Sequence, residues 1–231
     1  MKNPFNFFNK IYCINLEDRT DRWEECLEMS NQYEISNLER IDAIKIESDL
    51  PPKRKGQIGC SLSYAKCINL ALQNDFDNVL ILEDDFQFLL DKENLHSKMK
   101  LAINDLPEDW DALYFGGTVI SSYGHIPLMP YRENLLKLNG AHTTHSIAFS
   151  KKGLLKIVNF FKDKPWEQEL INNYECIDVF LAKEFQHINK VYIPTELLCF
   201  QRPSKSDIEN CVYDYSEWMI RNFNHFKTLV K

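Results

Sequence analysis

The chain has 231 residues, 44% of them hydrophobic and 26% charged, enough apolar material for one full core in the proportions of a globular protein. Its 34 acidic residues outnumber the 27 basic ones, and a net charge of -7 argues against a duplex-binding protein, so no nucleic-acid partner is expected. A phosphate ligand stays open, because a divalent cation can supply the missing positive charge.

Seven cysteines are an odd number with no C-x-x-C pair, which suggests neither a zinc ribbon nor a disulfide framework. Several sit in apolar runs, as Cys13 does, and free thiols point to a reducing compartment. The longest aliphatic run, Val79 to Leu82, is far too short to span a bilayer. No cleavable leader is visible at Met1 to Phe5, and the expected location is cytoplasmic.

In chain order, Ile11 to Leu16 reads as a buried strand ending in the polar turn Glu17-Asp18-Arg19. Arg22 to Gln32 has helical spacing, and a short strand is expected over Leu38 to Ile41. Glu47 to Gly56, with Pro51-Pro52 and three basic residues, predicts an exposed loop. From Ser61 to Asn74, Leu62, Ala65, Ile68 and Leu72 fall at helical spacing, with Gly59 just before the start. Val79-Leu80-Ile81-Leu82 is a strand buried on both faces, and it runs directly into Glu83-Asp84-Asp85.

Leu113 to Gly117 and Ser146 to Phe149 are further strands, and Ser150 can cap the helix that follows. Asp178 can cap the next one. Val191 to Ile193 and Leu197 to Phe200 return to strands, and Tyr213 to Val230 suits a terminal helix. Helix and strand alternate through the first half, which predicts an α/β sandwich with a mostly parallel central sheet.

The acidic triplet is the sharpest local feature. Three adjacent carboxylates repel one another, so clustering them at the end of a buried strand costs stability unless a cation or a basic partner compensates. Hard oxygen ligands of this kind suit Mn2+ or Mg2+ bridging to substrate phosphates. Alone, the triplet fits a metal site and a solvated acidic turn equally well.

Four ordered blocks set it in context. They are Ile14-Asn15-Leu16 with Arg19 and Asp21-Arg22; Asp42-Ala43; Gly56-Gln57-Ile58-Gly59-Cys60-Ser61-Leu62-Ser63; and Val79 to Asp85. Trp110-Asp111-Ala112-Leu113 and His145 to Gly153 are weaker later ones. In this order they resemble glycosyltransferase family 25, the lipooligosaccharide and procollagen galactosyltransferase-like enzymes. One departure stands out: Ser63-Tyr64 occupies the place of the family's usual Ser-His pair.

The resemblance implies a GT-A-like (Rossmann-like) α/β/α sandwich forming a single domain over residues 1–231. Residues 1–118 would be its nucleotide-sugar and metal-binding half, and 119–231 its acceptor-side half with the C-terminal helix. It implies inverting, metal-dependent transfer of a hexose from a nucleoside-diphosphate sugar, UDP-linked, to a glycan, lipooligosaccharide or protein hydroxyl. Asp85 and Glu83 would hold the metal. Asn15, Arg19, Arg22, Asp42, Gly59, Glu83 and Asp84 would bind the donor. Inversion needs a carboxylate base, for which Asp178 is the first candidate and Glu175 the second.

Each has a structural alternative: surface ion pairs for the arginines, a strand-end turn for Asp42, turn geometry for Gly56 and Gly59, and a helix cap for Asp178. His142 and His145 have H-x-x-H spacing but lack the zinc-protease glutamate, so a core or acceptor-site role is expected. His225 fits a surface helix position, and Gln201 to Asp207 a polar loop able to fold over the diphosphate. The alternative from another class is a sugar-nucleotide or glycan-binding module that keeps the fold without turnover. No transmembrane segment is expected, and peripheral membrane association is compatible with the sequence.

Overall fold

The computed structural model describes residues 3–162, 164–205, 212–214 and 216–230. After a 3-10 turn at Pro4–Phe7, the chain forms β1 (Lys10–Asn15), α1 (Thr20–Gln32), β2 (Leu38–Asp42), α2 (Pro52–Gln73) and β3 (Asn78–Glu83). Next come β4 (Phe86–Phe88), α3 (Lys92–Asp105), β5 (Ala112–Tyr114), β6 (Thr118–Val119), β7 (Leu128–Arg132), β8 (Leu135–Leu138) and β9 (Ala141–His142). The remainder is β10 (Ser146–Ser150), α4 (Lys151–Phe160), α5 (Trp166–Asn173), α6 (Ile177–Phe180) with a π-helical turn at Leu181–Phe185, β11 (Val191–Pro194), β12 (Cys199–Gln201), β13 (Ser204–Lys205), β14 (Val212–Tyr213) and α7 (Ser216–Thr228).

Eight strands make the main sheet in the order β2-β1-β3-β10-β5-β11-β8-β7. Following the pairings from β1, all but β10 and β8 point the same way. The sheet is therefore mostly parallel in direction, as expected. The strand predicted at Ser146 to Phe149 is one of the two reversed ones, and it pairs with β3 on one side and β5 on the other.

Alternation along the strands sorts side chains into two cores, one on each face. Tyr12, Ile14, Val79, Ile81, Ile147 and Phe149 face Tyr64 and Ile68 of α2, Leu154 of α4, Leu170 of α5 and Phe180 of α6. Ile11, Cys13, Leu80, Leu82 and Ala148 face Cys26 of α1 and Leu95 and Met99 of α3. Helices on both faces make this an α/β/α sandwich. Each fully buried aliphatic side chain of β3 contributes about 1.5–3 kcal/mol, and its four central residues are completely buried.

Local chemistry sets the helix ends. Asp91 accepts from the Asn94 amide to cap α3, and Ser150 accepts from the Gly153 amide to cap α4 as predicted. Glu34 and Asp75 take left-handed backbone just beyond α1 and α2, a usual way to end a helix. Pro130 lies in the edge strand β7, beside a shift in its register with β8, the kind of place where a strand tolerates proline.

Two expectations are corrected. Helix α2 starts at Pro52, so the last residues of the predicted Glu47 to Gly56 loop are helical, and Gly59 lies inside the helix. Proline is well suited to a first helical turn, where its missing N–H has no intrahelical partner to lose. Asp178 is not a cap: the cap position of α6 is Cys176, and the Ile177 amide instead donates to Ser61 Oγ, reaching across from α2 at 3.0 Å.

The later sequence blocks meet in one knot. Buried Asp111 accepts from Lys156 Nζ at 2.6 Å and from the Lys190 amide at 2.8 Å, and its carbonyl accepts from the Ser150 amide. Gly153 lets α4 approach this point so closely that an added Cβ would lie 2.0 Å from the Asp111 carbonyl oxygen. Gly153→Ala should therefore destabilise the protein by about 3 kcal/mol, the upper range for overpacking a core. A urea-unfolding midpoint unchanged from wild type would show that the knot yields.

Candidate functional site

Strands β1, β2 and β3 are parallel, so their carboxyl ends share one edge of the sheet, with Ile14 beside Glu83 and Asn15 beside Asp42. In open α/β sheets that edge is where ligands bind. A cavity of about 390 Å³ opens there, within the size range of small-ligand sites. Its floor is Glu83, Asp84 and Asp85; Arg19 and Arg22 come from the start of α1; Ile44 to Ile46 and Lys55, Gly56, Gly59 and Tyr64 form the opposite wall.

The three acids differ in their surroundings. Asp84 is saturated: Oδ1 accepts from Arg22 Nη1 at 2.6 Å, and Oδ2 from Asn15 Nδ2 at 2.7 Å. All three residues are buried, so this is a desolvated ion pair, of the kind whose breakage by removing one partner costs about 3–5 kcal/mol. Glu83 Oε1 accepts from Thr144 Oγ1 at 2.6 Å and from Tyr64 Oη at 3.4 Å, while Tyr64 Oη also donates to the Thr144 carbonyl. Asp85 Oδ2 accepts from Gln201 Nε2 at 2.9 Å, whereas its buried Oδ1 has no hydrogen-bond partner.

Burial, and then the charge of Asp85, pushes the Glu83 carboxyl up to about 8 against the lowering effect of Thr144. Burial likewise raises Asp84 and Asp85, with Arg22 opposing in both cases. The cluster thus holds its carboxyl groups at a desolvation cost that Arg22 offsets only in part. The orphaned Asp85 oxygen and the undercompensated carboxylates fit a divalent cation. Among the described residues no three acidic, histidine or cysteine side chains converge as a complete metal cage. That suits an ion completing its shell with phosphate oxygens and water.

The other sequence candidates fall into three groups. Arg19, Arg22 and Gly59 line the cavity. Asn15 stands behind the floor, bracing Asp84. Asp42 ends β2 beside Asn15 with an exposed side chain that lies 3.9 Å from Arg40, and it is not among the lining residues. Neither are Glu175 and Asp178. Glu175 is exposed, and its carbonyl accepts from Arg54 Nη1 at 2.6 Å. Asp178 is half-buried, with Oδ1 accepting from the Val179 amide and Oδ2 from the Thr143 amide at 3.4 Å, and its charge reaches Glu83.

Gly59 works through packing. A Cβ there would sit 2.3 Å from the Ile44 carbonyl oxygen, and the Ile44 amide donates to Ser63 Oγ, which itself donates to the Gly59 carbonyl. The third sequence block therefore holds the cavity wall in place.

Sequence reasoning did not find the Tyr64–Thr144 brace on Glu83, since nothing local pairs positions 80 residues apart. It did single out the polar loop, and there the Gln201 side chain meets Asp85 and the Arg202 amide donates to the Asp85 carbonyl at 2.7 Å. Pairing of β12 with β4, Gln201 opposite Phe86, explains that contact. Ser206 and Asp207 of that loop lie outside the described residues. His225 is exposed on α7, as expected.

Residues 8–115, which hold the whole cavity floor, match the family model of glycosyltransferase family 25, described as LPS biosynthesis protein. Beyond this segment the likeness extends further along the chain. Procollagen galactosyltransferase 2 of Homo sapiens is 25% identical over 202 residues, 77% of this chain and 32% of that protein. Procollagen galactosyltransferase 1 of Danio rerio is 25% identical over 173 residues, 65% and 28% of the respective lengths. The chain thus spans about a third of the length of these curated relatives. Among solved structures, a glycosyltransferase involved in the glycosylation of the major capsid of PBCV-1 aligns with 95% of this chain and 98% of its own, at 13% identity and a TM-score of 0.43. Mannose-1-phosphate geranyltransferase from Thermus thermophilus aligns with 79% and 58%, at 10% identity and a TM-score of 0.44. No helix among the described residues is long and apolar enough to cross a membrane.

His145 supports the floor from behind: its carbonyl accepts from the Glu83 amide, and its ring is completely buried with no well-formed hydrogen bond at either nitrogen. Burial lowers it to about 4, only partly offset by the Cys199 backbone. The unfolded chain takes up this proton near the ordinary histidine value of about 6.5 and the folded chain resists until about 4. Its contribution is therefore intact above pH 6.5 and lost as pH falls towards 4, about 3 kcal/mol in all. Because Glu83 titrates in the opposite sense, the measure is the difference from His145→Phe. That difference in unfolding free energy should change by about this amount, against the wild type, between about pH 7 and pH 4; a constant difference would mean that burial leaves His145 at its ordinary value.

Proposed function

We propose that the protein transfers a hexose from a nucleoside-diphosphate sugar, UDP-linked, to a hydroxyl of a glycan, lipooligosaccharide or protein acceptor, with inversion and with Mn2+ or Mg2+. The observation that carries this reading is the cavity itself. It sets carboxylates with an unpartnered buried oxygen against cationic side chains, at the carboxyl edge of a family 25 segment. The galactosyltransferase names of the curated relatives support the same class of chemistry.

Asp85 and Glu83 would hold the cation, whose chemistry is to neutralise charge on the departing diphosphate. Arg22 and Asn15 keep Asp84 fixed, so the floor needs no rearrangement when charge develops above it. Arg19, Lys45 and Lys55 stand on the cavity walls where they can meet phosphate oxygens. Ile44 and Ile46 offer the apolar surface a base or ribose edge would cover. Asp178, half-buried and within electrostatic reach of Glu83, would accept the proton of the attacking hydroxyl.

Two experiments test this. In a thermal-shift panel of nucleotide sugars, UDP-sugars with manganese should raise the melting temperature, and Asp85→Asn should remove the manganese-dependent part. A wild-type protein whose melting temperature responds to no nucleotide would defeat the proposal. Asp178→Asn should cut the transfer rate by about a hundred-fold or more, the usual contribution of a positioned general base, while the donor-induced shift persists. Full turnover in that variant would remove Asp178 from the mechanism. A binding module would instead show donor-induced shifts with no transfer at all by the wild type.

A further inference from the structure

Outside the cavity, a second polar cluster hangs on three consecutive residues. His142 Nε2 pairs with Tyr123 Oη at 3.0 Å; the Thr143 amide donates to Asp178 Oδ2; and Thr144 Oγ1 donates to Glu83 at 2.6 Å. Consecutive Cα atoms are about 3.8 Å apart, so the three residues that hold Tyr123, Asp178 and the cavity floor have their Cα atoms within roughly 8 Å of one another.

The arrangement depends on an unusual backbone. Thr143 has φ of 63°, a left-handed conformation that is a genuine outlier for a β-branched residue and costs of order 1–3 kcal/mol. The side chain helps hold it there: Thr143 Oγ1 donates to the His142 carbonyl at 2.6 Å and accepts from the Thr118 amide at 3.1 Å. The kink aims successive residues at Tyr123, Asp178 and Glu83.

Tyr123, His142 and Asp178 are all half-buried, so each keeps a face towards solvent. Tyr123 lies in the segment between β6 and β7, with exposed Ser121, Ser122 and Gly124 around it. The Tyr123 ring lies 5.8 Å from the His142 ring, and the next residue along ties in the Asp178 carboxylate, so the group offers what a sugar ring requires: a flat apolar surface for its C–H face, and hydrogen-bonding groups for its hydroxyls.

We infer that Tyr123, His142 and Asp178 form the acceptor subsite, binding a saccharide, and that Thr143 is a positioning residue that keeps this subsite in register with Glu83. The inference rests on the transferase reading for the word acceptor. Its geometry stands separately as a saccharide site.

The test uses the full chain and saturation-transfer-difference NMR with methyl glycosides of glucose, galactose and mannose as probes. Nucleotide-induced thermal shifts serve as the control on the neighbouring cavity. The wild type should give signals with at least one glycoside. Tyr123→Ala should weaken them about ten-fold, as loss of one ring contact and its hydrogen bond implies, with the nucleotide shift retained. Tyr123→Phe, which keeps the ring, should fall between them and covers the case in which the alanine variant does not fold.

For Thr143, a valine loses both hydroxyl bonds that hold the kink, while an asparagine tolerates left-handed backbone. Thr143→Val should lower kcat for transfer about ten-fold with the donor KM unchanged, and Thr143→Asn should recover most of it. A wild type that shifts with nucleotide but gives no glycoside signal overturns the subsite and leaves the transferase reading standing. Glycoside signals lost in Tyr123→Ala, without any nucleotide shift in the wild type, would sustain the saccharide site and overturn the transferase. Equal kcat for wild type and both Thr143 variants removes the positioning role.

Discussion

Everything at the carboxyl edge of the sheet depends on one desolvated contact, the guanidinium of Arg22 against the carboxylate of Asp84. A continuous apolar strand can be buried without difficulty until it ends in three acids. Their charge then has to be met by groups that other elements supply. Arg22 comes from α1 and Asn15 from β1; Tyr64 comes from α2, Thr144 from the turn before β10, and Gln201 from β12. Five separate parts of the chain thus converge on one strand end, and the cavity is the space that remains between them. Burial is compensated incompletely, with Glu83 raised and one oxygen of Asp85 unpartnered, and a cation would offset that cost.

Helix α2 organises the opposite wall. Over a little more than one turn, Gly59 admits the Ile44 carbonyl, Ser61 supplies the cap that α6 lacks, Ser63 fixes the Ile44 amide, and Tyr64 reaches Glu83. Most of these side chains point to different neighbours, so a single rigid element sets the distance between the cavity wall, the acidic floor and Asp178. Buried tyrosine at position 64, where the family usually has histidine, keeps a hydrogen bond to the floor while adding a large apolar ring to the core.

Much of this was legible in the sequence because it follows from local pattern. The run Val79 to Leu82 announces a strand buried on both faces, and the acids at its end announce their own need for compensation. Ser150 before an apolar stripe announces a helix start. Other features depend on partners remote in sequence and left no local mark. The basic run after Pro51-Pro52 looks like a loop, yet α2 begins there, with Arg54 reaching the Tyr174 and Glu175 carbonyls beyond the end of α5. Asp178 looks like a cap because of its residue type and place, but a serine more than a hundred positions away does the work. Strand direction was equally hidden: alternation and apolarity are the same for β10 whichever way it runs.

That reversed strand has a consequence for how the polypeptide comes into being. β3 and β5 are not neighbours; the place between them belongs to residues 146–150, which are hydrogen-bonded to both. Until those residues have left the ribosome, the strand carrying the acidic triplet has an unsatisfied edge and Thr144 is not there to steady Glu83. The stretch that matches the family model, ending at residue 115, therefore does not by itself complete the sheet around the acidic triplet.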